Sequence, residues 1–202
     1  MIRRLVPLML LLLFASLVAA GCGEYGQRYE GDAETTASAD NDETPVTDEA
    51  FDDEVRKRDG CTDVEEFESE GRNHTDGPYT YENNPPHSGD HNSVAKEWGL
   101  YDATQPDGNV VHNLEHGHIV ITHKGLSKKE EGTLLDHARV NPYHLLAMPR
   151  KKNPKNGVYY TAWTAQVYCK QPSAAALQFM IEEWRDQGPE LFTEDASMGT
   201  GA

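Results

Sequence analysis

The acidic segment over residues 23–59 limits what this chain can fold into, because it offers almost nothing that a hydrophobic core could bury. It carries 13 acidic and four basic residues, and its few apolar residues show no periodicity. Such a composition cannot bury enough apolar surface to offset the entropy lost on ordering the chain. We therefore predict a disordered acidic tether over residues 22–59. Folding is then confined to one domain over residues 60–190, with a flexible tail over residues 191–202.

Residues 1–21 predict export from the cytoplasm. Two arginines precede an apolar run over residues 5–18, and small residues follow directly before Cys22. This order is typical of a signal peptide, and the run is too short for a comfortable membrane span. A Cys at the cleavage point is typical of bacterial lipoproteins, so we predict that acylated Cys22 anchors the protein to the outer (or periplasmic) face of the cell membrane. Ordinary cleavage that leaves Cys22 as a free thiol is the alternative, because Ala19 stands where such signals usually carry Leu.

Two cysteines remain in the mature domain, Cys61 and Cys169. Disulfides form and persist in oxidising compartments, and a long-range bridge would stabilise a domain with a modest core. The predicted compartment and the even number of remaining thiols therefore predict a disulfide between Cys61 and Cys169. Two buried free thiols are the alternative.

The charge of the chain argues against nucleic acid as a partner. The formal net charge is −16, and the predicted domain from Gly60 onward is itself acidic, with 21 acidic and 12 basic residues. A polyanion of this kind repels nucleic acid. One basic cluster lies between two predicted strands, and we interpret it as a solvated hairpin loop: Arg150, Lys151, Lys152 and Lys155. No Gly-rich phosphate-binding motif is present, so we expect no nucleotide cofactor.

Hydrophobic periodicity and capping signals predict five elements in the second half of the chain. They are a strand over residues 118–123, a helix capped by Ser127 and Glu130, strands over residues 143–148 and 158–169, and a final helix capped by Ser173. The final helix should bury an apolar stripe formed by Leu177, Met180, Ile181 and Trp184. We predict an α+β fold, a compact two-layer domain with a β-α-β-β-α core.

The histidines indicate where the chemistry of this domain lies. All nine fall between His74 and His144, and five of them crowd into residues 85–91 and 112–118. Neutral imidazole offers a lone pair to a borderline metal ion. Several buried imidazoles together are costly unless a metal or hydrogen bonds satisfy them.

The spacing of these histidines predicts a shared metal site. His112 and His116 would share a face on a helix, and His116 and His118 would share a face on a strand. We predict His91, His112 and His116 as the ligands, with secondary candidates His74, His118 and Glu115. If the two domain cysteines are paired, the donors are nitrogen and oxygen, which suits copper or zinc.

Two other interpretations of the cluster remain open. Residues 112–116 also spell H-x-x-E-H, a zinc-peptidase pattern in which Glu115 would activate a metal-bound water for hydrolysis. Gly117 and the β-branched run after it limit any helix here to about two turns, so we favour a protein that is not an enzyme. Alternatively, the histidines form a hydrogen-bonded structural network beneath the proline-rich loop over residues 71–107.

Two motifs carry a resemblance to a known family. Residues 85–91 fit Pro-Pro-x-Ser-Gly-x-His, and residues 112–117 read His-Asn-Leu-Glu-His-Gly before a strand. Together they resemble the bacterial domain-of-unknown-function family numbered thirty-one-oh-five, whose members are commonly membrane-anchored. Further matches occur at Gly60-Cys61, His74, Ala162-Trp163, Cys169 and Pro172.

The resemblance covers residues 60–184 and implies a fold and a site, since the family name states no activity. The association of the family with copper-linked, His-rich proteins favours copper among the metals. The chain departs from the family at His87, where Thr is usual, and at His118, where the residue varies. Both departures add an imidazole near the predicted site.

Overall fold

The computed structural model describes residues 50–191. The predicted signal peptide, Cys22, residues 22–49 of the predicted tether and residues 192–202 of the tail lie outside this range. Within it, the elements in chain order are α1 (Asp53–Asp59), β1 (Glu65–Glu66), β2 (Gly99–Leu100), α2 (Asp107–Glu115), β3 (Ile119–Lys124), α3 (Lys128–Val140), β4 (Leu145–Pro149), β5 (Gly157–Ala162), β6 (Ala165–Cys169) and α4 (Ala174–Trp184). The α+β prediction is confirmed.

A six-stranded mixed sheet forms the centre of the domain, in the order β1-β6-β5-β3-β4-β2. Strand β3 is central, parallel to β4 and antiparallel to β5. Its side chains alternate between the two faces. Ile119 and Ile121 pack in the larger core with residues of α3 and α4, whereas Val120 packs with Leu114 of α2. Helices therefore cover both faces of β3, and α2 lies on the opposite face from the other two.

The predicted helix caps and the predicted disulfide are confirmed. Ser127 and Glu130 form a capping box at the start of α3, and the Ser173 side chain accepts a hydrogen bond from Ala176 N–H at the start of α4. A disulfide joins Cys61 to Cys169, the last residue of β6. Within residues 50–191, none of the helices is long and apolar enough to cross a membrane.

The predicted single strand over residues 158–169 is wrong, because the chain turns back within it. Strands β5 and β6 pair antiparallel, with Ala162 opposite Ala165, so Trp163 and Thr164 form a two-residue turn. Thr164 has φ 58°, in the left-handed region. Turns of this type usually carry Gly or Asn, so a β-branched residue here gives no sequence signal of a turn.

The basic segment after β4 is not a hairpin loop, because β4 and β5 lie on opposite sides of β3. Arg150 is also not solvated, being only 3% exposed. Its guanidinium donates to both carboxylate oxygens of Asp107, at 3.0 Å each, and to Asn153 Oδ1 at 3.0 Å. Only Lys151, Lys152 and Lys155 are exposed as predicted.

The ordered structure begins before Gly60, so the prediction of an unfolded tether through residue 59 is wrong at its C-terminal end. Residues 53–59 form α1, whose N-terminus is capped by the Asp52 side chain. Val55 is buried, and the Phe51 ring packs 5.4 Å from that of Phe179 on α4. Phe51 and Val55 are spaced i, i+4, a helical pattern too short to stand out in an acidic segment.

Candidate metal centre

Helix α2 carries three of the predicted site residues on one short segment. His112 and Glu115 lie in its last turn, and His116 caps its C-terminus. Because residues four apart share a helix face, the His112 and His116 rings lie together, with centroids 4.5 Å apart. Leu114 packs with Val120 of β3, which fixes the helix against the sheet.

Two loop segments bring a second pair of histidines to the same place. The His91 N–H donates to Asn73 O at 2.9 Å, and the Thr75 N–H donates to His91 O at 2.8 Å. This pairing sets His74 beside His91. The His74 and His112 rings stack 4.7 Å apart, and the His91 and His112 rings lie 5.1 Å apart. The His91 side chain is fully buried, whereas that of His74 is 40% exposed.

Three of these rings are oriented in the same way, with Nδ1 against a backbone carbonyl. The contacts are His91 Nδ1 to Gly89 O at 2.7 Å, His112 Nδ1 to Asn92 O at 2.7 Å and His116 Nδ1 to Glu190 O at 2.5 Å. A carbonyl oxygen only accepts, so we assign the proton of each ring to Nδ1. Each Nε2 then keeps its lone pair, which is the orientation found in metal-binding histidines.

The Nε2 atoms make two contacts that this proton assignment leaves unfavourable. His112 Nε2 lies 2.6 Å from His116 Nε2, and His91 Nε2 lies 2.9 Å from Glu115 Oε2. Both atoms in each contact are then acceptors. Glu115 is 1% exposed, so water does not screen the repulsion. Each contact requires a proton or a metal cation between the two atoms.

Within residues 50–191, the potential ligands form two groups that share a member. His74, His91 and His112 have ligand atoms within 4.8 Å of one another, and so do His74, Glu115 and Glu190. Nitrogen ligands lie about 2 Å from Zn²⁺, so two ligands of one ion are at most about 4 Å apart. A shift of less than about 1 Å would close either group around an ion.

The environment of the two α2 histidines favours the neutral, metal-binding form. Burial lowers the pKa of His112 below its ordinary value, although the hydrogen bond to Asn92 O partly opposes this. Burial likewise lowers the pKa of His116, and the contact with Glu190 O partly opposes it. Protons therefore compete weakly with a metal for both rings at neutral pH.

The residues of both groups lie within one recognised sequence region. Residues 73–196 match the family described as Protein of unknown function (DUF3105). The chain belongs to the DUF3105 family. No curated protein and no solved structure matches it. The resemblance inferred from the two motifs is thus confirmed at the level of the family, and α1 and Cys61 precede the matched region.

His87 and His118, the two histidines at which we expected a departure from the family motifs, belong to neither group of potential ligands. His87 is buried against Phe67, with ring centroids 4.3 Å apart, and its Nδ1 is hydrogen-bonded to Ser88 Oγ at 3.0 Å. His118 Nδ1 lies 3.1 Å from Asn113 Nδ2. The His118 ring stacks 4.5 Å from that of His144, and burial lowers its pKa to about 3. Both belong to hydrogen-bonded and stacked packing around the candidate site.

Sequence reasoning missed Glu190, which the structure places beside the site. Residues 185–191, here called the C-terminal strap, run across the end of α2. The Asp186 N–H donates to Gly117 O at 2.8 Å, and the Glu190 N–H donates to Glu115 O at 3.1 Å. Gly188 packs so closely that a Cβ there would collide with Glu115 O. Glu190 is one of 34 acidic residues in the chain, and nothing in the sequence around it indicates that it lies beside the site.

Proposed function

We propose that this protein is a metal-binding module whose ion is held by His91, His112 and His116. His91 and His112 belong to one of the two groups of potential ligands, whereas His116 lies outside both groups and joins the site through the contact of its Nε2 with His112 Nε2. The contact that carries the proposal is the 2.6 Å approach of His112 Nε2 to His116 Nε2, with both Nδ1 atoms against carbonyls. Buried lone pairs at this separation need a cation or a shared proton. The family match supports a common domain and states no activity.

The chemistry of the donors favours zinc or copper. Imidazole nitrogen is a preferred ligand of both ions, whereas Ca²⁺ and Mg²⁺ prefer oxygen ligands. The thiolates that would select Cu⁺ are missing from the domain, because Cys61 and Cys169 are joined in a disulfide. Glu115 Oε2, which contacts His91, is suited to serve as a further ligand or to orient that ring.

The location that we propose for the module rests on the sequence of residues 1–22. We infer that the protein is exported and that acylated Cys22 anchors it to the membrane, so that the metal site lies outside the cytoplasm. The disulfide is compatible with this compartment. The module would bind copper or zinc at the cell surface and sequester, deliver or sense it there, and no nucleic acid or nucleotide is involved.

Metal content is the direct test of the proposed function. The full chain is stripped with chelator, equilibrated with Zn²⁺ or Cu²⁺, and analysed by elemental analysis and calorimetry. We expect wild type to bind metal and His112→Ala to lose affinity by about 100-fold. His137→Ala, which removes a histidine from α3 on the other face of the sheet, is the matched control and should bind as wild type does. Metal content at background in wild type would refute the proposal.

The variant Glu115→Gln distinguishes this module from a zinc hydrolase. Glu115 is buried and its Oε2 lies 2.9 Å from His91 Nε2 and 3.4 Å from His74 Nε2, so it is poorly placed to serve a free water as a base. We expect Glu115→Gln to weaken metal binding. A Glu115→Gln protein that keeps its metal but loses a hydrolytic activity present in wild type would instead favour the enzyme.

A further inference from the structure

The centre contains more donors than one ion uses. Six side chains meet there: His74, His91, His112, His116, Glu115 and Glu190. Zn²⁺ typically takes four ligands, and copper sites of nitrogen and oxygen are of similar size. At least two of the six would therefore be left without a role in a site with a single ion.

The six donors are divided by exposure into two ends of one centre. His91, His112 and His116 form the buried end. His74 and Glu190 are exposed and form the open end. Glu115 lies between them, because its Oε2 is 2.9 Å from His91 Nε2 and 3.4 Å from His74 Nε2.

We propose that the centre binds two metal ions, one at each end, with the Glu115 carboxylate bridging them. This inference rests on the proposed metal-binding function. The buried ion takes imidazole ligands from His91, His112 and His116. The open ion takes His74 and Glu190. Paired metal ions in proteins lie about 3.5–4 Å apart, a spacing that a bridging carboxylate can span.

The backbone and the side chain of Glu190 have different roles in the proposed centre. The Glu190 N–H donates to Glu115 O, and the Glu190 carbonyl accepts from His116 Nδ1. Both contacts use the backbone, so Glu190→Gln keeps them while weakening the ligand of the open ion. The substitution at this exposed position therefore tests the second ion without disturbing the first.

The two ends should bind with different strengths. The buried end has three rings, each oriented by a carbonyl and shielded from water. Within residues 50–191, the open end has His74 and Glu190 besides the shared carboxylate, and water can compete there. Titration of the metal-free protein should consequently give a tight first step and a weaker second step.

The test combines metal stoichiometry with electron paramagnetic resonance of the full chain loaded with Cu²⁺. We expect two coppers per chain in wild type, with fewer detectable spins than coppers because carboxylate-bridged Cu²⁺ ions couple magnetically. In Glu190→Gln we expect one tightly bound copper and a spin count equal to the copper count, with the second step weakened by about tenfold or more. Glu183→Gln, an exposed glutamate on α4, is the charge-matched control and should keep both ions.

The possible results separate this inference from the proposed function. One copper per chain in wild type would overturn the second ion and leave the metal-binding module intact. Two coppers in both wild type and Glu190→Gln, with equal affinities and spin counts, would overturn the assignment of the open end. No copper or zinc bound to wild type would overturn both.

Discussion

The buried ion pair between Arg150 and Asp107 should contribute strongly to the stability of the domain. The Arg150 guanidinium donates from Nε and Nη2 to the two Asp107 carboxylate oxygens, at 3.0 Å each, and from Nη1 to Asn153 Oδ1 at 3.0 Å. Asp107 is the first residue of α2, the helix that carries His112. The substitution Arg150→Met removes the charge and the donors while keeping much of the side-chain length.

The expected loss of stability in Arg150→Met follows from the partners of Arg150 that are left without it. Breaking a buried ion pair by removing one partner costs about 3–5 kcal/mol, because the remaining charge is uncompensated. The Asp107 side chain is 21% exposed, so water can solvate part of it and the lower end of that range applies. The buried Asn153 also loses a donor, at about 1 kcal/mol. We expect the free energy of unfolding to fall by about 3–4 kcal/mol.

Urea unfolding of the full chain with the disulfide intact measures this loss. Lys151→Met is the matched control, because Lys151 is the exposed neighbour, and it should change the free energy of unfolding by less than about 0.5 kcal/mol. The double variant with Asp107→Asn isolates the pair energy. Equal losses in Arg150→Met and Lys151→Met would refute the buried ion pair. Because α2 begins at Asp107, Arg150→Met should also weaken Zn²⁺ binding.

Three further predictions concern other parts of the fold. Gly117→Ala should lower the free energy of unfolding in urea by about 2 kcal/mol or more, since Gly117 has φ 81° and a Cβ there would lie 2.7 Å from the backbone of the C-terminal strap. The control is Gly132→Ala on α3, where a Cβ meets nothing within 4 Å. This substitution should be neutral or stabilising. Burial lowers the pKa of His123, with Glu131 opposing the shift and Lys128 adding to it. The contribution of neutral His123 to stability is therefore intact above a pH of about 6.5 and is lost as the pH falls below that value. In His123→Phe, the free energy of unfolding in urea should depend less on pH in this range than it does in wild type. The disulfide joins cysteines 108 residues apart, so reducing it should lower the free energy of unfolding by about 4 kcal/mol. Thermal unfolding should show this loss as a lower melting temperature.

Local signals in the sequence predicted the elements whose cause is itself local. The capping box at the start of α3 needs only Ser127 and Glu130, three residues apart, and the structure has both of its hydrogen bonds. The apolar stripe of α4 needs only a period of 3.6, and Leu177 and Met180 are buried on it. These features depend on neighbours in the chain, so the sequence contains what is needed to find them.

Features that depend on tertiary contacts were not predictable in this way. Arg150 resembles the solvated Lys151 beside it in the sequence, and only the arrival of Asp107 from α2 makes it a buried ion pair. Thr164 occupies a left-handed turn position because β5 and β6 fix the chain on either side. Each is a case in which a packed neighbour outweighs the local preference of the residue.

The candidate site combines both kinds of information. The histidine pattern singled out His91, His112 and His116, and the ring of His112 lies near each of the other two. An imidazole nitrogen can bind a metal only when the proton of the ring is held at the other nitrogen. Here backbone carbonyls of Gly89, Asn92 and Glu190 hold those protons. Every residue has a backbone carbonyl, so the residue types at these three positions do not reveal that their carbonyls orient the rings. The groups that orient these rings therefore come into place only when the two loops and the C-terminal strap are folded against α2.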